Sequence, residues 1–139
     1  MSRKVFRFLL WLTLLAILLA GCEGYSQTGV KTRSHQDGKG GNLSTQVKKA
    51  NGTMTEEIEV EGGAGLTLEA DVTLSVDRGT FKIELLGEDD QVTLTLEAHD
   101  GESLSGHGQM VVDAFEEANY RVTATEAENV EYTIVYTYR

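Results

Sequence analysis

The stretch LTLEADVTLSV, Leu66 to Val76, decides the fold. Leu66, Leu68, Ala70, Val72, Leu74 and Val76 alternate without a fault against Thr67, Glu69, Asp71, Thr73 and Ser75. In an extended chain successive side chains point to opposite faces, so this stretch has one apolar and one polar face. A helix would scatter the same residues around its girth. The pattern predicts a strand with one face in a core and the other in water.

The same period runs outward in both directions. Upstream, Thr53 to Val60 places Met54, Ile58 and Val60 on one face, with Glu56 as a blemish among them. Downstream, Phe81, Ile83 and Leu85 point inward, then Val92, Leu94, Leu96 and Ala98, then Tyr120, Val122 and Ala124. Val130 to Tyr138 closes the chain with Val130, Tyr132, Ile134, Tyr136 and Tyr138 on one face. The segment MVVDAF, Met110 to Phe115, is less regular, and Asp113 to Ala118 has room for one helical turn at most. Asp77-Arg78-Gly79, Gly87 to Asp90 and Glu126 to Asn129 read as turns, with His99 to Gly108 the longest interior loop. These segments make about seven strands with no helical pattern between them, and the predicted class is all-β: an antiparallel β-sandwich, jelly-roll-like or immunoglobulin-like. Its core must come from Leu, Val, Ile and Ala with Phe81, Phe115 and a few tyrosines, because the single cysteine leaves no intramolecular disulfide to staple it.

The N-terminus has a different character. Arg3, Lys4 and Arg7 precede an uncharged, mostly apolar run from Phe8 to Ala20, and small residues close it. This order is that of a secretory signal. Thirteen residues fall short of the roughly 18 that a membrane-spanning helix needs. Leu19-Ala20-Gly21-Cys22 resembles the bacterial lipobox, the cleavage signal of the lipoprotein family. The resemblance implies that residues 1–21 are removed and that Cys22 carries the lipid. It places the mature chain outside the cytoplasm, anchored to a bacterial cell membrane or outer membrane. Glu23 follows the cysteine, rather than the aspartate that resembles an inner-membrane retention signal. Several acyl chains hold far better than one, since each buried CH₂ contributes ~0.8 kcal/mol.

Charge divides the remaining chain. Residues 23–52 carry five Lys or Arg against two acids, whereas residues 53–139 carry four against twenty. Glycine and polar residues dominate residues 22–52, which read as a basic, flexible tether spanning ~30 Å. Residues 53–139 read as the acidic sandwich domain. The expectation is a leash attracted to anionic lipid and a domain repelled by it. An acidic domain without a basic patch, aromatic ladder or zinc pattern excludes nucleic acid as a partner.

From Gly65 onward the chain resembles the small jelly-roll-like domains of the pre-peptidase C-terminal type. The matching pieces are Leu66-Thr67-Leu68, Tyr120-Arg121-Val122-Thr123-Ala124 and Tyr132-Thr133-Ile134-Val135-Tyr136. The resemblance implies a binding or accessory β-sandwich, in some members linked to calcium.

If the strands alternate in direction, their connections gather in two groups. One end collects Glu61, Glu88, Asp89, Asp90, Glu116 and Glu117, and the other collects Asp77, Arg78, His99, Asp100, Glu102, His107, Glu126 and Glu128. Glu88, Asp89, Asp90, Glu116 and Glu117 are the calcium candidates, since calcium takes several carboxylate and carbonyl oxygens, although no EF-hand spacing is present. His99, Asp100 and His107 could be combined as a zinc site. Ser103 or Ser105 with His107 and Asp100 could be drawn as a hydrolytic triad, but no nucleophile-elbow pattern accompanies them. The reading is therefore a non-catalytic binding or envelope-interaction module for an envelope, glycan or protein ligand. It needs no cofactor, with calcium as the favoured candidate ion, and the alternatives are a hydrolase using the Asp100 to His107 loop or a calcium-binding accessory domain.

Overall fold

The computed structural model describes residues 24–139, so the signal segment and Cys22 lie outside the described residues. Seven strands are present among them: β1 (Ser26–Thr28), β2 (Lys31–Asp37), β3 (Gly40–Glu59), β4 (Thr67–Leu86), β5 (Val92–Ala98), β6 (Ser103–Val111) and β7 (Glu117–Tyr138). Every pairing is antiparallel. β7 lies between β3 and β4. β1 and β2 both pair with β3, and β5 and β6 both pair with β4.

Three strands are about twenty residues long, and each belongs to both layers of the sandwich. β7 pairs through residues 128–138 with the first half of β4 and through 120–125 with its second half. β3 divides in the same way, with a register shift between Ala50 and Gly52. β4 has its own shift between Arg78 and Thr80. A bulge inserts a residue, sharpens the twist and turns the strand, and these irregularities lie side by side, so the sheet folds over along one line. Tyr120 and Tyr132 prove the fold-over. Twelve extended residues would separate them by ~40 Å, yet their hydroxyls stand 3.2 Å apart in the interior. Phe81, from the second half of β4, stacks on Tyr132 at 5.8 Å between ring centroids.

One layer therefore holds β2, the first half of β3, the last half of β7, the first half of β4, and β6. The other holds the remaining halves and β5. Leu68, Ala70, Val72, Leu74 and Val76 are buried, as the alternation predicts. After Gly79 the buried set moves from even to odd positions, to Phe81, Ile83 and Leu85. Gly79 has φ +75°, and a Cβ there would collide with the carbonyls of Thr125 and Glu126, so the bend needs glycine.

The strands differ from the sequence reading in four places. Residues 26–52, read as a tether, form β1, β2 and the first half of β3. β2 is exposed along its whole length and is held by backbone pairing with β3, so it carries no apolar signal. In β3 the buried series is Leu43, Thr45, Val47, and a buried threonine hides the period. The segments 77–79 and 126–129 bend the chain without reversing it. The loop expected over His99–Gly108 shrinks to a turn at residues 99–102. β6 begins at Ser103, and its inward positions 106 and 108 are glycines whose missing side chains make room for Leu94 of β5. Phe115, expected in the core, is 83% exposed at the tip of the β6–β7 turn, where the Asp113 carboxylate accepts the backbone N–H groups of Phe115 and Glu117.

Candidate binding groove at the bend

Folding the sheet along one line leaves a groove of about 920 Å³ across the outside of the bend. Its floor is the bent backbone at Ala50–Asn51, Arg78–Thr80 and Thr125–Glu128. β1 forms one rim and His99–Asp100 the other. Register sets a row of side chains across it: Thr28 opposite Lys49, Lys49 opposite Glu128, and Glu128 opposite Arg78. Lys49 Nζ lies 3.8 Å from Glu128 Oε1. Arg78 is exposed and makes no ion pair among the described residues.

The rims are fixed by short hydrogen bonds. The Gly79 N–H donates to Asp100 Oδ1 at 2.5 Å, tying the 99–102 turn to the bulge. The Gly101 N–H donates to the Val76 carbonyl at 2.9 Å. The His99 N–H donates to Glu102 Oε2 at 2.8 Å, and the His99 ring nitrogen Nδ1 is 3.2 Å from Thr80 Oγ1. On the opposite side the Glu126 N–H donates to Asn51 Oδ1 at 3.2 Å. The result is a trough with both cations and anions, and with amide and hydroxyl groups at its edges. Such a surface can donate to and accept from a polyhydroxylated or anionic ligand, and a guanidinium can grip a carboxylate or phosphate through two parallel bonds.

The sequence-derived candidates separate. Asp100, His99, Arg78, Glu126 and Glu128 do gather at one end, around the groove. His107 leaves that group. It lies mid-way along β6 on the outer face of the first layer, where Nδ1 is 2.9 Å from Asp71 Oδ1 and Nε2 is 2.9 Å from Glu69 Oε2. These bonds, Asp71 first and Glu69 second, raise the His107 pKa above its ordinary value. Glu69 is held below the usual carboxylate range by His107 and then by Arg139, whose Nη1 is 2.6 Å away. Ser103 and Ser105 sit opposite Ser75 and Thr73 along the strand. Asp100, His107 and these serines therefore do not meet as a triad, and His99 and His107 do not converge as a zinc pair.

Glu88, Asp89 and Asp90 form a single 3-10 turn after β4, with Asp89 and Asp90 at φ +53° and +57°. The nearby cation is Arg121, whose pKa is raised first by its hydrogen bond to Glu84 and only last by the charge of Asp90. Glu116 ends the turn before β7, and Glu117 starts β7 opposite Glu59. The Glu117 pKa is raised by partial desolvation and then by the charges of Glu57 and Asp113. Among the described residues no group of three or more His, Cys, Asp or Glu side chains is placed to hold a metal ion. No helix among them is long and apolar enough to cross a membrane.

No protein-family model matches the chain, and no curated protein matches it in sequence. Among solved structures it is similar to a chain of the Bacillus endospore appendages, a family of disulfide-linked pili, at 15% identity and TM-score 0.48, covering 84% of this chain and 92% of that one. It is similar to a CBM4 structure at 11% identity and TM-score 0.42, covering 83% and 85%. It is also similar to the CBM22-1 xylan-binding domain of Paenibacillus barcinonensis Xyn10C at 12% identity and TM-score 0.37, covering 84% and 85%. Likeness at this level carries no argument about a ligand.

Strand alternation already groups Arg78 and Glu128 at one end, but nothing in the sequence adds Thr28 and Lys49 to them. Thr28, Lys49, Arg78 and Glu128 are scattered over a hundred residues, and only the strand register makes them neighbours.

Proposed function

We propose that this chain is a non-catalytic binding module of a bacterial envelope, carried outside the cytoplasm by a lipid on Cys22, and that the bend groove binds a polar glycan of that envelope. The observation that carries the reading is the row Thr28–Lys49–Glu128–Arg78 across an open trough of about 920 Å³. Extended sugars are gripped by several moderate hydrogen bonds spread along a groove, and charged partners supply the stronger ones. The lipid reading rests on Leu19-Ala20-Gly21-Cys22 behind an apolar run. The test is calorimetry of the protein against cell-wall and glycan fragments, alongside calcium and zinc. Binding heat with a glycan fragment, weakened at least tenfold in Arg78→Ala, is the expected result. Absence of heat with every glycan, or binding unaffected by Arg78→Ala and Lys49→Ala, overturns it. Mass spectrometry of the protein purified from membranes checks the acyl group on Cys22.

A further inference from the structure

The first described residue, Gly24, lies at the bend: its carbonyl oxygen would stand 2.8 Å from a Cβ on Gly52. Only Glu23 separates it from Cys22. Three residues, Glu23 to Tyr25, thus connect the cysteine to β1, and at full stretch they span ~10 Å. A domain on so short a connection is held within about one Debye length of whatever surface receives the cysteine, where surface charge acts on it strongly.

Three of the five cations of residues 23–52 are not on a leash but on the edge of the sheet, toward the end where the chain enters. Lys31 and Arg33 of β2 lie side by side on the outer face with Ser44 and Gln46. Lys48 of β3 lines a second depression with Lys31 and Gly29, and its aliphatic stem packs under Gly29. All three are exposed and make no ion pair among the described residues. Glu131 lines that second depression as well, and the other acids of residues 53–139 lie on the rest of the molecule, including the far end with Glu88 to Asp90.

We infer that the β2–β3 edge, through Lys31, Arg33 and Lys48, docks on an anionic lipid headgroup surface and fixes the orientation of the domain on the membrane. The occupant follows from charge complementarity and from where the chain leaves the fold. This inference rests on membrane attachment near Cys22 but not on the groove's ligand. The edge turns toward the bilayer and the acidic end turns away from it, so the groove opens at the membrane-proximal side.

The full protein, purified from membranes, is reconstituted into vesicles with and without phosphatidylglycerol. Fluorophores are placed at Ser34→Cys on β2 and Asp89→Cys at the far end, and energy transfer to headgroup acceptors is measured. With phosphatidylglycerol, transfer from Ser34 should be several-fold above that from Asp89. It should fall toward the Asp89 level in the Lys31→Glu, Arg33→Glu, Lys48→Glu variant and, in the otherwise unmodified protein, at high salt. Equal transfer from the two sites, or a difference that neither salt nor lipid charge alters, overturns the docking face. The acyl group is read separately by mass spectrometry: its absence overturns the attachment on which the docking face rests, whereas the transfer measurements overturn the face itself.

Discussion

At one end of the sandwich the chain reverses, and at the other it only bends. At the open end the connections 60–66, 87–91 and 112–116 carry the chain out of one strand and into another. They are held by local hydrogen bonds such as Gly63 N–H to the Val60 carbonyl and Gly87 N–H to the Gln91 carbonyl. At the bent end β3, β4 and β7 pass straight through, and only the 99–102 turn and the start of β1 interrupt the strands. Both kinds of segment contain glycine and acidic residues. They differ in what they do to the apolar period. A reversal suspends it for several residues, whereas a bulge shifts its phase and lets it resume at once. A close-packed backbone crossing results at the bend, and a row of independent loops results at the open end.

The largest expected effect contrasts the core beside the bend with a loop tip at the open end. Leu74→Asp places a charge among fully buried residues, and cooperative unfolding should disappear in a urea melt. Phe115→Ser, at the exposed tip, should stay within about 0.5 kcal/mol of the parent. Retained stability in the first variant would break the contrast.

Two glycines sharpen it. Gly79 and Gly62 both have positive φ, but a Cβ at Gly79 meets the β7 backbone and one at Gly62 meets nothing within 4 Å. Gly79→Ala should cost about 3 kcal/mol in chemical denaturation and Gly62→Ala about 1 kcal/mol. Equal losses would mean that the bend tolerates movement. Gly108→Val tests the approach of β6 to β5, where a Cβ would stand 2.6 Å from Leu94 Cβ. A loss of about 1–3 kcal/mol is expected from overpacking, and an unchanged melting temperature would contradict the layer contact.

Smaller effects come from carboxylates on opposite faces of the second layer. Glu84 faces outward and accepts Arg121 Nε at 2.8 Å, and that bond lowers its pKa. Its contribution is complete above the unfolded value and is lost as pH falls through the lower folded value. Glu84→Gln should therefore lower stability at pH 7 by about 1 kcal/mol, with the difference vanishing in acid. Glu56 has the opposite sign. Burial, then Glu57, raises its pKa, so stability is lost as pH rises through that value, and Glu56→Gln should be the more stable protein at neutral pH. Melts of both variants across the acid range decide between these signs. Smallest of all, an NMR titration should place His107 above 6.5, and Asp71→Asn should bring it down, because Asp71 is its main partner.

Much of the fold was legible where leucine, valine and isoleucine fill the inward positions. Leu66 to Val76 is the clearest case, and the grouping of Arg78, His99, Asp100, Glu126 and Glu128 at one end followed from strand alternation. The rest was hidden for identifiable reasons. β2 has no buried face, so backbone pairing with β3 and a few side-chain hydrogen bonds define it without any apolar period. The inward positions of β6 hold glycine at 106 and 108, which removes the apolar signal and imitates a loop. Thr45 does the same for β3. The phase shifts near Gly52, Gly79 and Glu126 look locally like turns, since a bulge and a hairpin draw on the same left-handed conformers. The groove depends on all three shifts falling side by side, which no single segment can reveal.

The shared strands have a mechanical consequence. Two separate plates pressed together can slide or peel, exposing their greasy inner sides one at a time. Here each plate is the continuation of the other through three covalent ribbons, so shear between them must drag every ribbon around the fold. The creased sheet should resist pulling and melt all at once, doing for this cysteine-poor domain what cross-links do elsewhere.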